Sequence, residues 1–278
     1  MKLKELLAGL DILSSSADLN TDIHEVQYDS RLVEPGDLFI AVPGAAADGH
    51  KFIPMAREKG AACVLCEKIP EGDVPFVQVA DTRRALAVVG GNRFDHPARE
   101  MTMIGITGTS GKTTSTYLIK SILEQKAGAK VGLIGTNQNL IGEESLPAHR
   151  TTPESYEVQE YFAQMVEAGC KVVVMEVSSQ GLKLHRTAGI QFDIGIFTNL
   201  APDHIGENEH ASFEEYMECK SRLFRQCEIG IVNADDEHGA DILKGHTCKV
   251  ETYGFSEKAD LRASDLKLVN RPGFLGVD

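Results

Sequence analysis

The stretch "MTMIGITGTSGKTTSTYLIKSIL" (101–123) decides the fold, because it joins a strand, a glycine-rich turn and a helix in that order. The apolar run 101–107 predicts a buried strand, and a helix is predicted from about 112 to 126. Such a turn is a typical phosphate site, since the free N–H groups and the dipole of the helix both favour an anion. Four residues are expected to form the apolar face of the helix: Leu118, Ile119, Ile122 and Leu123.

The turn carries the residue types that phosphate binding needs. In the common P-loop, G-x-x-x-x-G-K-[ST], the first glycine would fall at Ile106, whereas this chain has it at Gly108. Glycine lets the backbone approach phosphate oxygens. Lys112 supplies a positive charge and the Thr113 hydroxyl is a ligand for Mg²⁺. The predicted nucleotide-binding loop is Gly108, Thr109, Ser110, Gly111, Lys112, Thr113 and Thr114.

Composition and charge exclude several classes of protein. The net charge of −13 over 278 residues argues against nonspecific nucleic-acid binding. No apolar run approaches the ~20 residues that cross a bilayer, and the N-terminal stretch 1–16 reads as a short amphipathic helix rather than a signal peptide. The six cysteines, including the C-x-x-C pair Cys63 and Cys66, are expected to be reduced packing thiols. We therefore expect a cytoplasmic protein.

Strands alternating with helices predict an α/β protein with two domains, 1–98 and 99–278. The predicted strands are 37–42, 61–66 and 75–79 in the first domain, and 101–107, 130–135, 171–177, 192–199 and 229–235 in the second. A helix is expected to begin at Pro153 with Thr152 as its N-cap. The last twenty residues, 259–278, predict the start of a hairpin without a closing helix. The chain is therefore expected to be a fragment that lacks a further domain.

Glu176 and His204 are candidate metal ligands at the ends of two strands. Glu176 closes the apolar run "KVVVME", and His204 follows the next predicted strand. Ligands of parallel sheets collect at the carboxyl ends of strands, and a carboxylate there is costly unless it is paired or bound to metal. We therefore expect both residues beside the phosphate loop and associated with Mg²⁺. The alternative is a salt-bridged glutamate and a surface histidine.

Lys220 lies in the middle of an apolar helix stripe. The stretch "SFEEYMECKSRLFRQC" (212–227) begins with a capping box, Ser212 to Glu215. At about 100° per residue, Lys220 falls among the apolar positions. Burial favours a neutral amine, which can react with CO₂ to give a metal-binding carbamate. In the alternative, the stem packs and the charged head reaches water.

Five motifs together resemble the Mur ligases, ATP-dependent enzymes that form amide bonds in peptidoglycan synthesis. They are "GTSGKTT" (108–114), "MEVSSQGLKLHR" (175–186), "FTNLAPDH" (197–204), "CKSRLF" (219–224) and "NADD" (233–236). The family has its own loop, G-T-[NS]-G-K-[TS], so the shifted glycine is not damage. "HRTTPES" (149–155) resembles the class that adds the third amino acid, and "YDSRLVEPGDLFIAVPGAAADGHKFI" (28–53) resembles its UDP-binding domain.

The resemblance implies roles for further residues. Ser30 resembles a UDP contact, and Asn233 resembles an adenine-side residue of the ATP site. The residues that resemble contacts of UDP-MurNAc-dipeptide are Thr151, Thr152, Ser178 and Arg186. The implied metal set is Thr113, Glu176, His204 and a carbamylated Lys220, and the implied catalytic residues are Lys112, His204 and Lys220. Asn199 and Asp203 match supporting positions.

The implied reaction adds meso-diaminopimelate or L-lysine to UDP-MurNAc-L-Ala-D-Glu through an acyl phosphate, with ATP and Mg²⁺. The implied fold is a small N-terminal α/β UDP-binding domain followed by an incomplete, mostly parallel P-loop-type ATPase domain, and the C-terminal ligase domain is absent. The isolated fragment is expected to be inactive. The alternatives are another ligase of the superfamily (MurF or a folylpolyglutamate synthetase), a P-loop kinase, and a fragment that only binds a nucleotide or UDP-sugar.

Overall fold

The computed structural model describes residues 1–44, 47–207, 209–271 and 274–277. The strands in these ranges form a five-stranded sheet, a nine-stranded sheet and a two-stranded sheet. Most neighbouring strands in the two larger sheets are parallel, and helices pack on both. The predicted α/β class is therefore confirmed.

The five-stranded sheet is formed by the first part of the chain. Its elements are α1 (Leu3–Leu6), β1 (Ser14–Ser15), β2 (Val26–Gln27), β3 (Leu38–Ile40), a 3₁₀ helix (Gly49–Phe52), α2 (Ile53–Glu58), β4 (Cys63–Cys66), β5 (Phe76–Gln78) and α3 (Thr82–Arg93). The strand order is β1-β5-β4-β3-β2, and β1 is the antiparallel member. Leu86 and Val89 of α3 pack on one face of this sheet. The three strands predicted here are confirmed within two residues at each end.

The nine-stranded sheet follows a 3₁₀ helix, Pro97–Glu100. Its elements are β6 (Thr102–Thr107), α4 (Lys112–Ala127), β7 (Val131–Ile134), β8 (Gln138–Ile141), β9 (Glu144–Pro147), α5 (Ser155–Glu167), β10 (Val172–Glu176), α6 (Ser179–Lys183), β11 (Phe192–Phe197), α7 (Phe213–Ser221), a 3₁₀ helix (Arg222–Arg225), β12 (Cys227–Asn233), α8 (Gly239–Ile242), β13 (Lys249–Gly254) and β14 (Leu261–Arg262). β15 (Leu268–Arg271) and β16 (Phe274–Val277) form the predicted terminal hairpin.

The order of the large sheet is β14-β13-β12-β11-β6-β10-β7-β8-β9. The seven strands from β14 to β7 are parallel, so the carboxyl ends of β6, β10 and β11 lie side by side at the centre of one edge. β8 and β9 extend the sheet as an antiparallel hairpin, which the sequence did not predict. The core under α5 and α7 includes Phe162, Phe192 and Tyr216, whereas Ile119 and Leu123 of α4 pack on the opposite face.

The predicted apolar face of α4 is half wrong. Leu118 and Ile122 are each 58% exposed, whereas Ile119 and Leu123 pack on the sheet. The buried Thr116 lies in the same row, three residues before Ile119. The face of α4 that meets the sheet is therefore the row Thr116, Ile119 and Leu123, which is narrower than the predicted face.

The start of α5 was also predicted wrongly. The helix begins at Ser155 with Glu154 as N-cap, and the Glu157 carboxylate accepts from the Glu154 N–H at 3.0 Å. Thr152 cannot cap it, because its hydroxyl donates to the Glu176 carbonyl (2.9 Å) and accepts from the Ser178 N–H (3.0 Å). Thr152 thus joins the segment before α5 to the end of β10.

Two expectations from composition can be compared with the structure. All six cysteines are free and buried, and burial raises the pKa of Cys66 to about 11, as expected for packing thiols. Within the described ranges, no helix is long and apolar enough to span a bilayer.

Candidate active site

The phosphate loop lies between β6 and α4, as predicted. Gly111 is the N-cap of α4 with φ 84°, a left-handed conformation that glycine adopts without strain. A Cβ atom at Gly108 (φ 151°) would lie 1.9 Å from Thr198 Oγ1, so a side chain there would displace the loop or the strand end. Lys112 Nζ donates to the carbonyls of Gly108 (2.9 Å) and Thr109 (3.0 Å), and burial lowers the pKa of this lysine.

The turn after β11 holds the phosphate loop in place. The Asn199 carbonyl accepts from the Thr109 N–H (2.8 Å), and its side-chain oxygen accepts from the Ser110 N–H (2.9 Å). Thr198 Oγ1 donates to the Ser110 carbonyl at 2.8 Å. Asn233 Nδ2 donates to the Thr198 carbonyl at 2.8 Å. Asn199 therefore has the supporting position that the sequence suggested, and Asn233 lies one contact further from the loop.

Glu176 is a buried carboxylate, 1% exposed, at the end of β10. It accepts a hydrogen bond from the Thr113 hydroxyl (2.9 Å) and from the N–H and hydroxyl of Thr136 (2.9 and 3.1 Å). A hydroxyl and a carboxylate in contact are the oxygen ligands that Mg²⁺ prefers. The pair Thr113 and Glu176 therefore fits this ion.

Lys220 is buried in α7, with 2% of its surface exposed. Its Nζ donates to the Gly108 carbonyl (2.8 Å) and lies 4.4 Å from the centre of the Tyr216 ring. The alternative in which the charged head reaches water is therefore wrong. Burial, with a smaller effect from Lys112, lowers the pKa of Lys220 to about 7. The neutral form of the amine is thus favoured more strongly than in an exposed lysine.

His204 is half exposed, at 51%, and has a left-handed backbone (φ 53°). Its Nδ1 lies 3.1 Å from Glu209 Oε1, and its Nε2 lies 3.6 Å from Asp203 Oδ2. Of the two carboxylates, only Glu209 lies within hydrogen-bond distance of the ring. The alternative of a salt-bridged glutamate fails for Glu176, whereas the surface position suggested for the histidine is partly correct.

A second group of polar residues follows β10 and precedes α5. Arg186 donates to the Thr152 carbonyl (3.1 Å) and forms an ion pair with Glu154 (2.7 Å). Arg83 of α3 also reaches Glu154 (3.4 Å), so this carboxylate connects the two larger sheets. Ser178 is the N-cap of α6, where its hydroxyl accepts from the Gly181 N–H at 3.0 Å.

These groups line one cavity of about 520 Å³. The predicted residues on its wall are Thr109, Gly111, Lys112, Thr113, Thr114, Thr151, Thr152, Glu176, Ser178, Arg186, His204 and Lys220. The residues proposed for phosphate, for metal and for an acidic substrate thus share one space. The side chains of Lys112, Lys220 and Arg186 line it, and the ammonium of Lys112 and the guanidinium of Arg186 are suited to stabilising negative charge on a transferred phosphoryl group.

Two models of known protein families match the sequence of this chain. The family model described as "Mur ligase middle domain" matches residues 106–273, and that described as "Mur ligase family, catalytic domain" matches residues 22–93. The chain belongs to the Mur ligase family.

Two curated relatives of this Mur ligase chain show how similar it is to named ligases. "UDP-N-acetylmuramoyl-L-alanyl-D-glutamate--2,6-diaminopimelate ligase 1" of Clostridium acetobutylicum is 46% identical over 273 residues, which are 98% of this chain and 56% of the relative. The ligase of the same name from Listeria monocytogenes is 36% identical, over 97% of this chain and 56% of the relative. The chain thus spans little more than half the length of these relatives.

Solved structures of two ligases resemble this chain. A structure of a UDP-N-acetylmuramoyl-L-alanyl-D-glutamate--2,6-diaminopimelate ligase matches 96% of this chain and 55% of its own, with a TM-score of 0.81 and 25% identity. MurF from Acinetobacter baumannii matches 89% of this chain and 51% of its own, with a TM-score of 0.59 and 23% identity. Its lower TM-score makes MurF the more distant neighbour of the two. At 23% identity, the likeness to MurF concerns the fold alone.

Some predicted residues of this Mur ligase chain lie away from the cavity wall. Ser30 is buried in the first part of the chain, where its hydroxyl lies 3.4 Å from Met55 Sδ. Asn233 lies behind the turn after β11, and Gly108 and Ser110 belong to the loop without lining the cavity. The residues predicted to contact phosphate, metal and the dipeptide therefore lie around one cavity. The predicted UDP contact, Ser30, and the predicted adenine contact, Asn233, do not line it.

Sequence reasoning missed several residues on or beside the wall. They are Thr136, Ser179, Gln180, Glu209 and Tyr216. Thr136 follows β7, so the rule that ligands collect at strand ends could have found it. Ser179 follows a residue that was predicted. Tyr216 precedes Lys220 by one helical turn, and its hydroxyl lies 3.1 Å from Thr109 Oγ1.

The described residues hold no group of three His, Cys, Asp or Glu side chains that could bind a metal. The predicted magnesium set has one carboxylate and one imidazole, completed by a hydroxyl and an amine. Thr113 and Glu176 are in hydrogen-bond contact, whereas Lys220 is bonded to the loop carbonyl.

Proposed function

We propose that this chain carries the substrate- and ATP-binding parts of a ligase that adds 2,6-diaminopimelate to UDP-MurNAc-L-Ala-D-Glu. The observation that carries the proposal is the single cavity, in which the phosphate loop and Glu176 face Thr152, Ser178 and Arg186. The names of the relatives support diaminopimelate over L-lysine. We further propose that the domain boundary lies near residue 98 and that the protein acts in the cytoplasm.

Thr113, Glu176, His204 and Lys220 are the residues that would hold Mg²⁺. Bound there, the ion would neutralise charge on the phosphate oxygens. Lys112 would bind the outer phosphates of ATP, since its ammonium lies on the loop. The threonine hydroxyl and the carboxylate are already in contact, so this half of the site needs little rearrangement.

Lys220 would act as a carbamate. Its neutral amine attacks the carbon of CO₂, a C–N bond forms, and one proton leaves to solvent. The buried cation becomes an anion with two ligating oxygens, which removes the unfavourable ammonium from the interior. Burial and the pKa of about 7 support the step, because a neutral amine is its reactant.

The reaction would proceed in two steps. The γ-carboxylate of D-glutamate attacks the γ-phosphorus of ATP, ADP leaves, and an acyl phosphate forms. An amine of diaminopimelate then attacks the acyl carbon, inorganic phosphate leaves, and a proton is released. Lys112 and Arg186 would bind and orient the charged groups, so no serine or histidine nucleophile is required.

The alternative for the chain as given is binding without catalysis. The chain as given spans 56% of the length of the Clostridium acetobutylicum relative, so the activity of the whole ligase is a proposal. The cavity supports binding of both substrates under either reading. The predicted UDP contact at Ser30 and adenine contact at Asn233 remain proposals.

Calorimetry on the 278-residue chain tests the proposal. We expect separate, saturable binding of Mg·ADP and of UDP-MurNAc-L-Ala-D-Glu, with weaker binding of UDP-MurNAc-L-Ala, which lacks the glutamate carboxylates. Lys112→Ala should remove the nucleotide titration and leave the UDP-dipeptide titration within about threefold, since this lysine serves phosphate alone. A chain that binds neither ligand contradicts the proposal. Phosphate release dependent on diaminopimelate, measured on the product of the whole reading frame, separates a ligase from a binding protein.

A further inference from the structure

His210 is a fully buried histidine beside the cavity, with 0% of its surface exposed. Its Nε2 lies 2.9 Å from Ser179 Oγ, and its ring packs on Tyr216 with centroids 5.2 Å apart. Its Nδ1 has no hydrogen-bond partner among the described residues. The nearest carboxylate oxygen, Glu215 Oε2, is 3.9 Å away and already accepts from the Ala211 N–H at 2.6 Å.

The hydrogen bonds fix which nitrogen carries the proton. A buried N–H without an acceptor is rarer and more costly than a bare acceptor. Of the two ring nitrogens, only Nε2 has a partner within hydrogen-bond distance, so the proton belongs there. His210 therefore donates to Ser179 Oγ, and the hydrogen of the serine hydroxyl remains available for another acceptor.

Ser179 is the residue of the cavity wall that this bond orients. The neighbouring Ser178 hydroxyl accepts from the Gly181 N–H as the N-cap of α6, and the Ser178 N–H donates to Thr152 Oγ1. Ser179, which is 3% exposed, and Arg186 line the same cavity. A hydroxyl donor and a guanidinium are suited to a carboxylate.

We propose that His210 is a positioning residue for substrate: its ring fixes the Ser179 hydroxyl as a donor to a carboxylate of the acidic dipeptide. The inference rests on the proposed function, because it takes the acidic dipeptide as the occupant of this half of the cavity. The backbone of His210 has a separate task. Its N–H donates to the His204 carbonyl (3.1 Å) and its carbonyl accepts from the Gly206 N–H (3.1 Å), bonds that do not depend on the side chain.

Two substitutions at this position separate positioning from packing. His210→Gln keeps an N–H donor at the place of Nε2, whereas His210→Asn is too short to reach Ser179. We expect His210→Asn and Ser179→Ala each to weaken UDP-MurNAc-L-Ala-D-Glu binding about tenfold and to leave Mg·ADP binding within about twofold. His210→Gln should stay within about threefold of the wild type. The double variant Ser179→Ala/His210→Asn should bind no more weakly than either single variant, because both remove one hydrogen bond.

His238→Asn is the matched control. The ring of His238 packs on Phe213 of α7, the helix whose Tyr216 contacts His210, but His238 does not line the cavity. This substitution should leave both titrations unchanged. Equal losses for both ligands in His210→Asn, additive losses in the double variant, or a His210→Gln as weak as His210→Asn would overturn the inference.

Nitrogen NMR of the wild-type chain gives a readout independent of any variant's folding. We expect the His210 proton on Nε2, with Nδ1 unprotonated. A proton on Nδ1 overturns the inference and leaves the proposed function intact. A wild-type chain that fails to bind the UDP-dipeptide overturns the proposed function, and the inference falls with it.

Discussion

Two carboxylates in the two larger sheets have the same local bonding. Glu67 follows β4 of the first sheet and accepts from the Thr82 hydroxyl at 2.8 Å, in the first turn of α3. Glu176 ends β10 of the second sheet and accepts from the Thr113 hydroxyl at 2.9 Å, in the first turn of α4. Each bond ties the end of a parallel strand to the start of a helix.

The surroundings of the two carboxylates differ. Glu67 also accepts from the Thr82 N–H (2.9 Å), and the Thr82 hydroxyl hydrogen is shared with the Ala41 carbonyl, 3.0 Å away, so these contacts join β3, β4 and α3. Glu176 lies on the wall of the cavity together with Lys112 and Lys220. A strand-end carboxylate bonded to threonine is therefore a structural feature in one sheet. In the other, open volume, the buried amine of Lys220 and the partly buried amine of Lys112 make it a candidate site.

The largest expected effect comes from neutralising the two carboxylates in turn. Glu176→Gln should weaken Mg·ADP binding by about 100-fold or more, because a neutral amide is a poor ligand for Mg²⁺. Glu67→Gln should leave that affinity within about twofold and lower the free energy of unfolding by about 1 kcal/mol, the contribution of an ordinary hydrogen bond. Calorimetry and urea unfolding measure the two quantities. Similar losses of nucleotide affinity in both variants would show that the comparison is wrong.

The sequence predicted those parts of the site that depend on neighbouring residues or on strand ends. The loop 108–114 is contiguous, and Glu176 and His204 follow apolar runs. Helix periodicity placed Lys220 among apolar positions but left open whether its amine reaches water, and the structure shows the side chain buried. These features are local, so they can be predicted without knowing how the helices and strands pack.

The features that were missed depend on packing. The rotation of α4 is set by how Ile119 and Leu123 meet the sheet, and a stripe of four apolar residues does not specify it. Threonine is common at N-cap positions, but the Thr152 hydroxyl donates to the Glu176 carbonyl at the end of β10 instead. His210 contacts Ser179 across 31 positions of sequence, a pairing that no periodicity reveals.

Replacing Lys220 tests whether the buried amine lowers the free energy of unfolding of the protein. The folded-state pKa of about 7 lies below the ordinary 10.5, so the unfolded chain binds more protons between these values. Wild-type stability should therefore rise with pH through this window, by up to about 1.4 kcal/mol per pH unit. Lys220→Met lacks this dependence, so its stability advantage should be greatest at pH 7 and below and shrink toward pH 10.5.

Urea unfolding at several pH values, in buffer with EDTA and without CO₂, measures that advantage. Removing CO₂ keeps the lysine as an amine. Lys171→Met, at an exposed position beside β10, is the control and should show no change in pH dependence. An advantage that is constant with pH would mean that Lys220 keeps its charge when folded.

The smallest expected effect concerns a contact between the two sheets' regions. Tyr156 of α5 is buried in the core of the first sheet, and its hydroxyl donates to Glu25 Oε1 at 2.7 Å. Glu25 also pairs with Arg93 of α3 at 3.1 Å, so Tyr156→Phe removes one bond and leaves the carboxylate partnered. We expect a loss of about 1 kcal/mol in the free energy of unfolding, with nucleotide affinity unchanged. Tyr117→Phe on α4, whose hydroxyl has no protein partner among the described residues, should change neither quantity. A loss of nucleotide affinity in Tyr156→Phe would show that the first sheet's region supports the phosphate loop as well as the fold.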